Sequence, residues 1–418
     1  MATISDYLTQ LQTDKQTLID NLVSKGVNAT SEDTFTTLAP KVLDITGGGS
    51  APAPAVTLKD VNFYDYDGSL LYSYTSDEFL ALEQLPDNPT HSGLISEGWN
   101  WTLEGAKNHV TECKLLNIGQ TYHTDDDTVR IYIDLPAKGA LPIVAFGVNG
   151  SATIDWGDGS EPTVVTGTSL TVAKESFHTY TTAGKFVIKI SSDTGIQILG
   201  TSNYGTRLYY LGSSYTYQNR GYQFHPYKIE LASNTKLGSY AFSYCGAREI
   251  LVPKDVSPSS YCFKYAYNLK CMIFGSILYP TDVLSQCTGL EMAIYPETTT
   301  DIETNAFGNC YLLRDFTIPY NATAIDGTAF SNNLKLKYMY IPKKVLNLGS
   351  AACQSLSGMI VYDFRNHETI PTIATNSFNN IIMHTKIVVP DALYDEWIAA
   401  TNWTNYASYI IKASEYEG

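Results

Sequence analysis

The sequence predicts a multidomain, β-rich protein whose C-terminal half is a solenoid of short repeats. Its 418 residues exceed what one small hydrophobic core organises, so several domains are expected. Tyr occurs 31 times while charged residues make up 17%, a balance typical of strand-rich structure with an aromatic, weakly charged surface. A short apolar anchor recurs seven times between residues 241 and 378, at intervals of 21 to 25 residues.

The acidic balance of the chain excludes several classes of partner. The net charge is −15, from 27 Lys+Arg against 42 Asp+Glu, which argues against binding of nucleic acid or anionic membranes. No segment is apolar over the length needed to cross a bilayer, so we expect no membrane insertion. The first six residues, Met1 to Asp6, lack the basic and apolar regions of a signal peptide, so export by another route is expected.

Residues 1–45 are predicted to be a helical attachment or oligomerisation segment. The apolar positions are spaced as a heptad seam that ends before Gly26. The seam comprises Ile4, Leu8, Leu11, Leu18 and Leu22. A second short helix follows, and the two pack as a hairpin or the first self-associates. Residues 46–56, rich in Gly, Ala and Pro, are a linker.

Residues 57–136 are predicted to form a small α+β domain. The expected elements are a hairpin over 61–74, helices over 76–85 and 102–113, and a second hairpin joining 118–122 to 129–135. The aspartates at 125–127 lack the calcium-loop pattern, so a solvated turn is preferred to a calcium site. The segment resembles units of fibre proteins from phages that infect gut bacteria.

Residues 137–192 carry the pattern of a β-sandwich. Ile154 and Trp156 alternate inward before a tight Gly-Asp-Gly turn, and the segments 177–180 and 184–190 follow at regular spacing. This arrangement resembles the PKD-type immunoglobulin-like domain. Asp155 and Asp158 are expected to cap turn amides rather than bind a metal, and His178 is expected to be packed.

Residues 193–418 contain the repeats and a helical end. The anchors are Ala241-Phe242, Cys262-Phe263, Val283-Leu284, Ala306-Phe307, Ala329-Phe330, Ala352-Cys353 and Ser377-Phe378. Most are followed by a short β-rich run that ends in proline. The pattern resembles BspA-type leucine-rich repeats over roughly 225–390. This predicts an internal phenylalanine spine, one parallel sheet, and a C-terminal cap closed by Trp403 and Ile410.

The cysteines recur at one repeat position. Cys245, Cys287 and Cys310, with Asn333 in a further copy, are expected to be buried where a small polar side chain meets backbone. They are therefore expected to be reduced rather than to form disulfides.

The sequence does not indicate an enzyme. Nucleophile elbows, zinc-binding helices and phosphate-binding glycine loops are missing, and the seven histidines have no partner at metal-ligand spacing. No catalytic residues, metal or cofactor are therefore predicted. A pair of glycosidase carboxylates remains open as an alternative.

Three functions compete. The first is a bacteriophage tail or capsid fibre, because the segment around Tyr7-Leu8 and Asp14–Gln16 resembles N-termini of phage fibre proteins. Such a protein, released by lysis, would join virion proteins through its N-terminus as a homotrimer on the virion surface. The second is a bacterial BspA-like cell-surface adhesin. The third is a carbohydrate-active enzyme with binding modules.

In the first two functions the solenoid would bind a surface or mucosal glycan or protein. The alternation of strand residues places Asp315, Thr317, Tyr338 and Tyr340 outward. Tyr215, Tyr217 and Tyr222 lie in an aromatic stretch ahead of the repeats. Exposed tyrosines on a rigid surface suit recognition, although those near Tyr209 could instead cover the open end of the solenoid.

Overall fold

The computed structural model describes residues 12, 15, 16, 19, 20, 22, 30–34, 59–135, 142–201, 205–206, 209–211, 226–276, 280–314 and 316–416. The chain divides into two compact units, Met1–Thr57 and Leu58–Gly418. Among the described residues, every helix is too short or too polar to be a membrane-spanning candidate.

In the first unit, the described positions between 12 and 22 are helical. Leu22 and Ile19 are buried within a single chain, and Lys15 donates a hydrogen bond to the carbonyl oxygen of Ser31 at 2.8 Å. The hydrogen bond joins the first helix to the turn at residues 31–32, while the predicted second helix, and with it the choice between a hairpin and self-association, lies outside the described residues. The rest of the predicted seam and the linker 46–56 lie outside the described residues; the seam positions concerned are Ile4, Leu8, Leu11 and Leu18.

The second unit begins with a four-stranded sheet and two helices. The elements are β1 (Val61–Tyr64), β2 (Leu70–Tyr74), α1 (Ser76–Leu80), β3 (Leu94–Trp99), α2 (Leu103–Cys113) and β4 (Leu116–Thr124). The strand order is β2-β1-β4-β3, and β1 pairs antiparallel with β2, which confirms the predicted hairpin. Thr102 begins α2 by accepting a hydrogen bond from the Gly105 N–H group.

The predicted second hairpin is wrong. Strand β5 (Thr128–Leu135) follows β4 but lies in a different, nine-stranded sheet. Nearly every residue of β5 is buried, which is the pattern of a central strand rather than of an edge hairpin. The aspartate-rich turn before β5 is held by Arg130, which donates to Asp125 at 2.6 Å and to Asp126 at 2.7 Å.

The nine-stranded sheet joins the strands between residues 142 and 198 to the first repeats. Its further strands are β6 (Pro142–Asp155), β7 (Thr163–Phe177), β8 (Gly184–Ser191), β9 (Ile196–Ile198), β12 (Tyr209–Leu211), β13 (Lys228–Glu230), β14 (Lys236–Leu237) and β15 (Glu249–Leu251). Strands β10 (Gly200–Thr201) and β11 (Gly205–Thr206) form a separate pair. Strand β13 pairs with β5 on one side and with the repeat strand β15 on the other. The sheet therefore covers the open N-terminal end of the solenoid.

The Gly-Asp-Gly turn packs as the alternation predicts. Ile154 and Trp156 are buried, and the Tyr180 hydroxyl donates to the Trp156 carbonyl oxygen at 2.6 Å. His178 stacks on Trp156 at 5.2 Å and bonds Asp158 at 2.7 Å, so this histidine is packed, as expected. The PKD-type assignment stays a prediction.

The solenoid has two rows of short parallel strands. One row continues with β16 (Cys271–Ile273), β17 (Met292–Ile294), β20 (Tyr338–Tyr340), β22 (Val361–Asp363), β24 (Lys386–Val389) and β25 (Ile410–Lys412). The other contains β18 (Asp301–Ile302), β19 (Ala324–Ile325), β21 (Asn347–Leu348) and β23 (Thr372–Ile373).

The prediction of one continuous parallel sheet is wrong. The β16–β17 pair and the β20–β25 run are separate, and the described residues 316–318 between them form no strand. Phe316 turns its ring against Phe307 at 4.6 Å and Phe330 at 5.3 Å, at the position where neighbouring copies place Ala293 or Met339. This bulkier ring coincides with the interruption of strand pairing.

The predicted spine is confirmed. The second anchor residue of every copy is buried, and the rings of Phe242 and Phe263 stack at 5.5 Å, as those of Phe307 and Phe330 do at 5.4 Å.

The small polar side chains that follow spine residues by three positions form hydrogen bonds with backbone, as predicted. The Cys310 thiol donates to the carbonyl oxygen of Leu284 in the preceding coil at 3.1 Å, and Cys287 bonds Phe263 in the same way at 3.0 Å. Asn333 replaces the thiol and donates to the carbonyl oxygen of Phe307 at 3.0 Å. All seven cysteines are free and buried, and burial raises the pKa of Cys310 to about 12.

A cap of short helices ends the array. It comprises α3 (Tyr394–Ala399) and 3₁₀ helices at Asp391–Leu393, Trp403–Tyr409 and Ala413–Glu415. Trp403 and Ile410 are buried, and the Trp403 indole donates to the Pro371 carbonyl oxygen at 2.8 Å, which confirms the predicted closure.

Candidate binding surface

Two backbone positions flanking each of the first six repeat anchors adopt the left-handed conformation, and one does so at the last anchor. Tyr240 and Tyr244, on either side of Phe242, both have φ of 59°. The N–H group of Tyr244 donates to the carbonyl oxygen of Lys264 in the next coil at 2.9 Å. Later copies have Asp282, Gln286, Asn305, Asn309, Thr328 and Asn332 at the equivalent positions. Because each such N–H group bonds the next coil, equivalent side chains lie one above another along the solenoid.

Tyrosine occupies these positions only in the first two copies, among the described residues. The Tyr240 ring stacks on Tyr261 at 4.6 Å with an angle of 3°, and Tyr244 stacks on Tyr265 at 4.5 Å with an angle of 18°. Tyr267, which is 47% exposed, lies beside Tyr244 and Tyr265. We call these five residues the tyrosine patch. A bulky residue is uncommon at positive φ and is strained there, whereas Asn tolerates the conformation.

A lysine crosses the edge of the tyrosine patch. The Lys264 ammonium lies 5.2 Å from the centroid of Tyr261 and 5.6 Å from that of Tyr265. It donates to Asp282 at 2.6 Å, and Asn305 donates to the same carboxylate oxygen at 2.7 Å. Burial would lower the pKa of Lys264, but the hydrogen bond that it donates to Asp282, together with the charge of that carboxylate, outweighs burial and raises the pKa. The patch is therefore a rigid aromatic surface bordered by neutralised charge.

The predicted strand face has the expected alternation but not the expected exposure. Met339 is buried while Tyr338 and Tyr340 on either side are half-buried. The Tyr338 hydroxyl donates to Asp363 at 2.6 Å, and the Tyr340 hydroxyl accepts a hydrogen bond from Asn366. The prediction that the two tyrosines are exposed is wrong, because both are engaged by neighbouring groups of the same chain.

The α+β domain covers much of this strand face. Tyr64 and Leu70 pack on the outward residues of β16 and β17, which are Cys271, Ile273, Met292 and Ile294. Gly119 on β4 approaches so closely that an added Cβ would lie 2.4 Å from Cγ2 of Ile273. The outward face of these copies is therefore an internal interface rather than a surface open to a ligand.

Buried hydrogen bonds fix the α+β domain on the solenoid. Asn100 donates to the carbonyl oxygen of Phe274 at 2.9 Å, and the Trp101 indole donates to that of Tyr295 at 2.9 Å. The Lys254 N–H group donates to Glu97 at 2.6 Å. Bonds of this kind hold one orientation, since undocking would leave buried polar groups unpaired.

The remaining predicted residues do not converge on one site. Thr317 is half-buried at a cleft between the α+β domain and the solenoid. Four others lie outside the described residues, namely Asp315, Tyr215, Tyr217 and Tyr222.

The sequence analysis overlooked the tyrosine patch, although a signal was present. The positions two residues before and after each anchor often hold Asn or Asp in later copies, the residue types that favour left-handed backbone, and the others there are Gln, Thr, Ala and Ser. Tyrosine at the same positions of the first two copies departs from that pattern.

Residues 222–279 and 279–395 match the family model described as the BspA type Leucine rich repeat region, in six copies. This segment of the chain is therefore made of BspA-type leucine-rich repeats, as the anchors predicted. The comparison with curated proteins gives no significant match.

Two solved structures are similar in part. A leucine-rich cell surface protein from Faecalibacterium prausnitzii A2-165 is 17% identical with a TM-score of 0.26, over 41% of this chain and 53% of that one. A leucine-rich repeat protein from Bacteroides ovatus ATCC 8483 is 16% identical with a TM-score of 0.29, over 47% of this chain and 66% of that one.

Proposed function

We propose that the chain is a non-enzymatic, adhesin-like binding protein of the BspA kind, and that the tyrosine patch contacts a protein ligand on a cell or mucosal surface. The observation that carries the proposal is the stacking of Tyr240 on Tyr261 and of Tyr244 on Tyr265, at backbone positions where tyrosine is strained. The same backbone conformation holds Gln286, Thr328 and Ala351 in later copies, so the stacked tyrosine rings are what distinguish the first two copies. A rigid, partly exposed group of tyrosines suits recognition of a protein.

The orientation of the rings supports a protein rather than a sugar ligand. The faces of Tyr261 and Tyr265 stack on their partners or lie under Lys264, so the edges and hydroxyl groups of these two rings are what remain for a ligand. A flat tyrosine surface with few rotatable bonds gives large contact area at low entropic cost, as in antibody paratopes.

The match of residues 222–395 to BspA-type repeats supports the adhesin hypothesis over the phage fibre hypothesis. The phage hypothesis, with attachment through residues 1–45, rests on sequence resemblance alone and stays a prediction. So do surface display and the absence of enzymatic activity.

The test replaces Tyr261 and Tyr265 with Asn, the residue that this chain uses at 305 and 309. This double variant keeps a side chain suited to the backbone while it removes the rings, so we expect nearly unchanged melting. Binding of the labelled protein to a panel of epithelial and bacterial cells should fall at least tenfold.

The control is Tyr311→Ala, which removes an exposed tyrosine outside the patch. Prior treatment of the cells with protease should abolish wild-type binding. Equal binding by the Asn double variant would contradict the role of the patch, and protease-resistant binding would contradict a protein ligand.

A further inference from the structure

A cleft of about 350 Å³ lies between the α+β domain and the solenoid strands, away from the tyrosine patch. Its cationic lining residues are Lys59, Arg314, Lys335 and Lys337. Four cations in one cleft are notable in a chain with 27 Lys+Arg against 42 Asp+Glu. The volume lies in the range of pockets that hold a small ligand.

The one acidic lining residue among those described, Asp60, is already engaged. Its carboxylate accepts hydrogen bonds from the Ser76 N–H group at 2.8 Å and from the Ser76 hydroxyl at 2.9 Å. Lys59 pairs with Glu78 at 2.8 Å, on the exposed side of the domain.

The repeats stack charged residues one above another beside the cleft. The Glu291 N–H group donates to the carbonyl oxygen of Lys270, and the Arg314 N–H group donates to that of Glu291, so these residues occupy equivalent positions in successive coils. The Glu291 carboxylate forms ion pairs with both Lys270, at 3.0 Å, and Arg314, at 2.9 Å, so one negative charge balances only one of these two positive charges. Lys337 holds the equivalent position in the next coil, and neither it nor Lys335 has an ion pair within the described part of the chain.

Neutral groups complete the lining. The Asn117 amide keeps its N–H groups for a ligand, since only its oxygen accepts a hydrogen bond, from Asn62 at 3.4 Å, and Thr317 adds a hydroxyl group. Cations beside an amide and a hydroxyl group are a combination that recognises a sugar bearing a negative charge.

We propose that this cleft binds an anionic saccharide, through Lys335 and Lys337 with Arg314 and Lys59 adding to the positive potential. Carboxylated and sulfated sugars share this chemistry. A nucleic acid is disfavoured, because the net charge of −15 opposes a long polyanion outside the cleft. The site is independent of the tyrosine patch.

The experiment applies the full-length protein to an array of uronic-acid, sialylated and sulfated oligosaccharides together with their neutral counterparts. We expect wild-type binding to acidic members only, weakening as salt is raised. The K335A/K337A variant should bind at least tenfold more weakly with unchanged melting, since both lysines are exposed.

The matched control is K236A/K386A, two exposed lysines that do not line the cleft. This variant should bind acidic saccharides as the wild type does. The Asn double variant of the tyrosine patch should also bind them normally, so a failure of this proposal can be distinguished from a failure of the proposed function. Whether carboxylated or sulfated members bind identifies the charged group. The proposal is overturned if no acidic saccharide binds, if neutral counterparts bind equally, or if K335A/K337A retains wild-type affinity.

Discussion

The side chain of Asn100 joins two domains, donating to the carbonyl oxygen of Phe274 at 2.9 Å across 174 residues of chain. Its Oδ1 atom accepts the N–H group of Gly119 at 2.9 Å, so one amide satisfies buried backbone on both sides of the interface. This contact explains why the strand face of the repeats is not open to a ligand.

We predict that Asn100→Ala loosens this interface. The substitution leaves a buried carbonyl oxygen and a buried N–H group without partners, so the free energy of unfolding in urea should fall by about 1–3 kcal/mol. Amide hydrogen exchange of β16 and β17 should accelerate. Asn405→Ala, an exposed amide in the C-terminal cap, is the control and should change neither. Unchanged exchange in Asn100→Ala would show that the contact does not hold the domains together.

A second prediction concerns Asn333, which donates to the carbonyl oxygens of Phe307 at 3.0 Å and Phe330 at 2.7 Å. Asn333→Ala should reduce the free energy of unfolding by about 1–3 kcal/mol, because the Phe330 oxygen loses the side-chain donor and the Phe307 oxygen keeps only the Cys310 N–H group. Asn333→Cys should lose less, since Cys287 and Cys310 serve the same position in other copies. Equal losses in the two variants, measured by urea unfolding, would contradict the equivalence of thiol and amide.

These contacts mark the limit of what the sequence predicts. Phe242 and Cys310 were assigned to the interior because the residues of a stacked repeat recur at a fixed interval and must share one environment. No interval relates Asn100 to Phe274, so the docking of the α+β domain left no periodic signal. Strand β5 was assigned to the wrong sheet for the same reason, since its partners β8 and β13 are distant in sequence. The tyrosine patch was missed because strand alternation was considered and the left-handed positions were not.

The two-unit division of the chain leads to a third prediction. Because Met1–Thr57 is compact apart from Leu58–Gly418, a chain that begins at Leu58 should keep the circular dichroism and melting temperature of the intact protein. If residues 1–45 carry oligomerisation, the intact protein should have a trimeric mass by light scattering and the shortened one a monomeric mass. If the shortened chain still associates, the contacts between copies lie in the repeats rather than in residues 1–45. If the intact chain is monomeric, the trimer prediction is wrong.

The last prediction is a loss of stability in mild acid that originates in two buried histidines. Burial lowers the pKa of His109 and of His367 to about 4, although each ring also bonds a backbone carbonyl oxygen. In the unfolded chain both titrate near 6.5. Between pH 6.5 and 4 the unfolded state therefore binds more protons than the folded state, so stability is complete above pH 6.5 and declines as the pH falls towards 4.

The expected loss is about 3 kcal/mol for each histidine over that window. Asp126 and Asp158, whose pKa values are lowered to about 2 by hydrogen bonds that outweigh burial, lose their contribution only below about pH 4. Urea unfolding between pH 4 and 7 should thus be steep in the wild type and flatter in the double variant His109→Gln, His367→Gln. His384→Gln is the control, since the side chain of that residue is exposed. An equally steep profile in the double variant would show that other groups bind the protons.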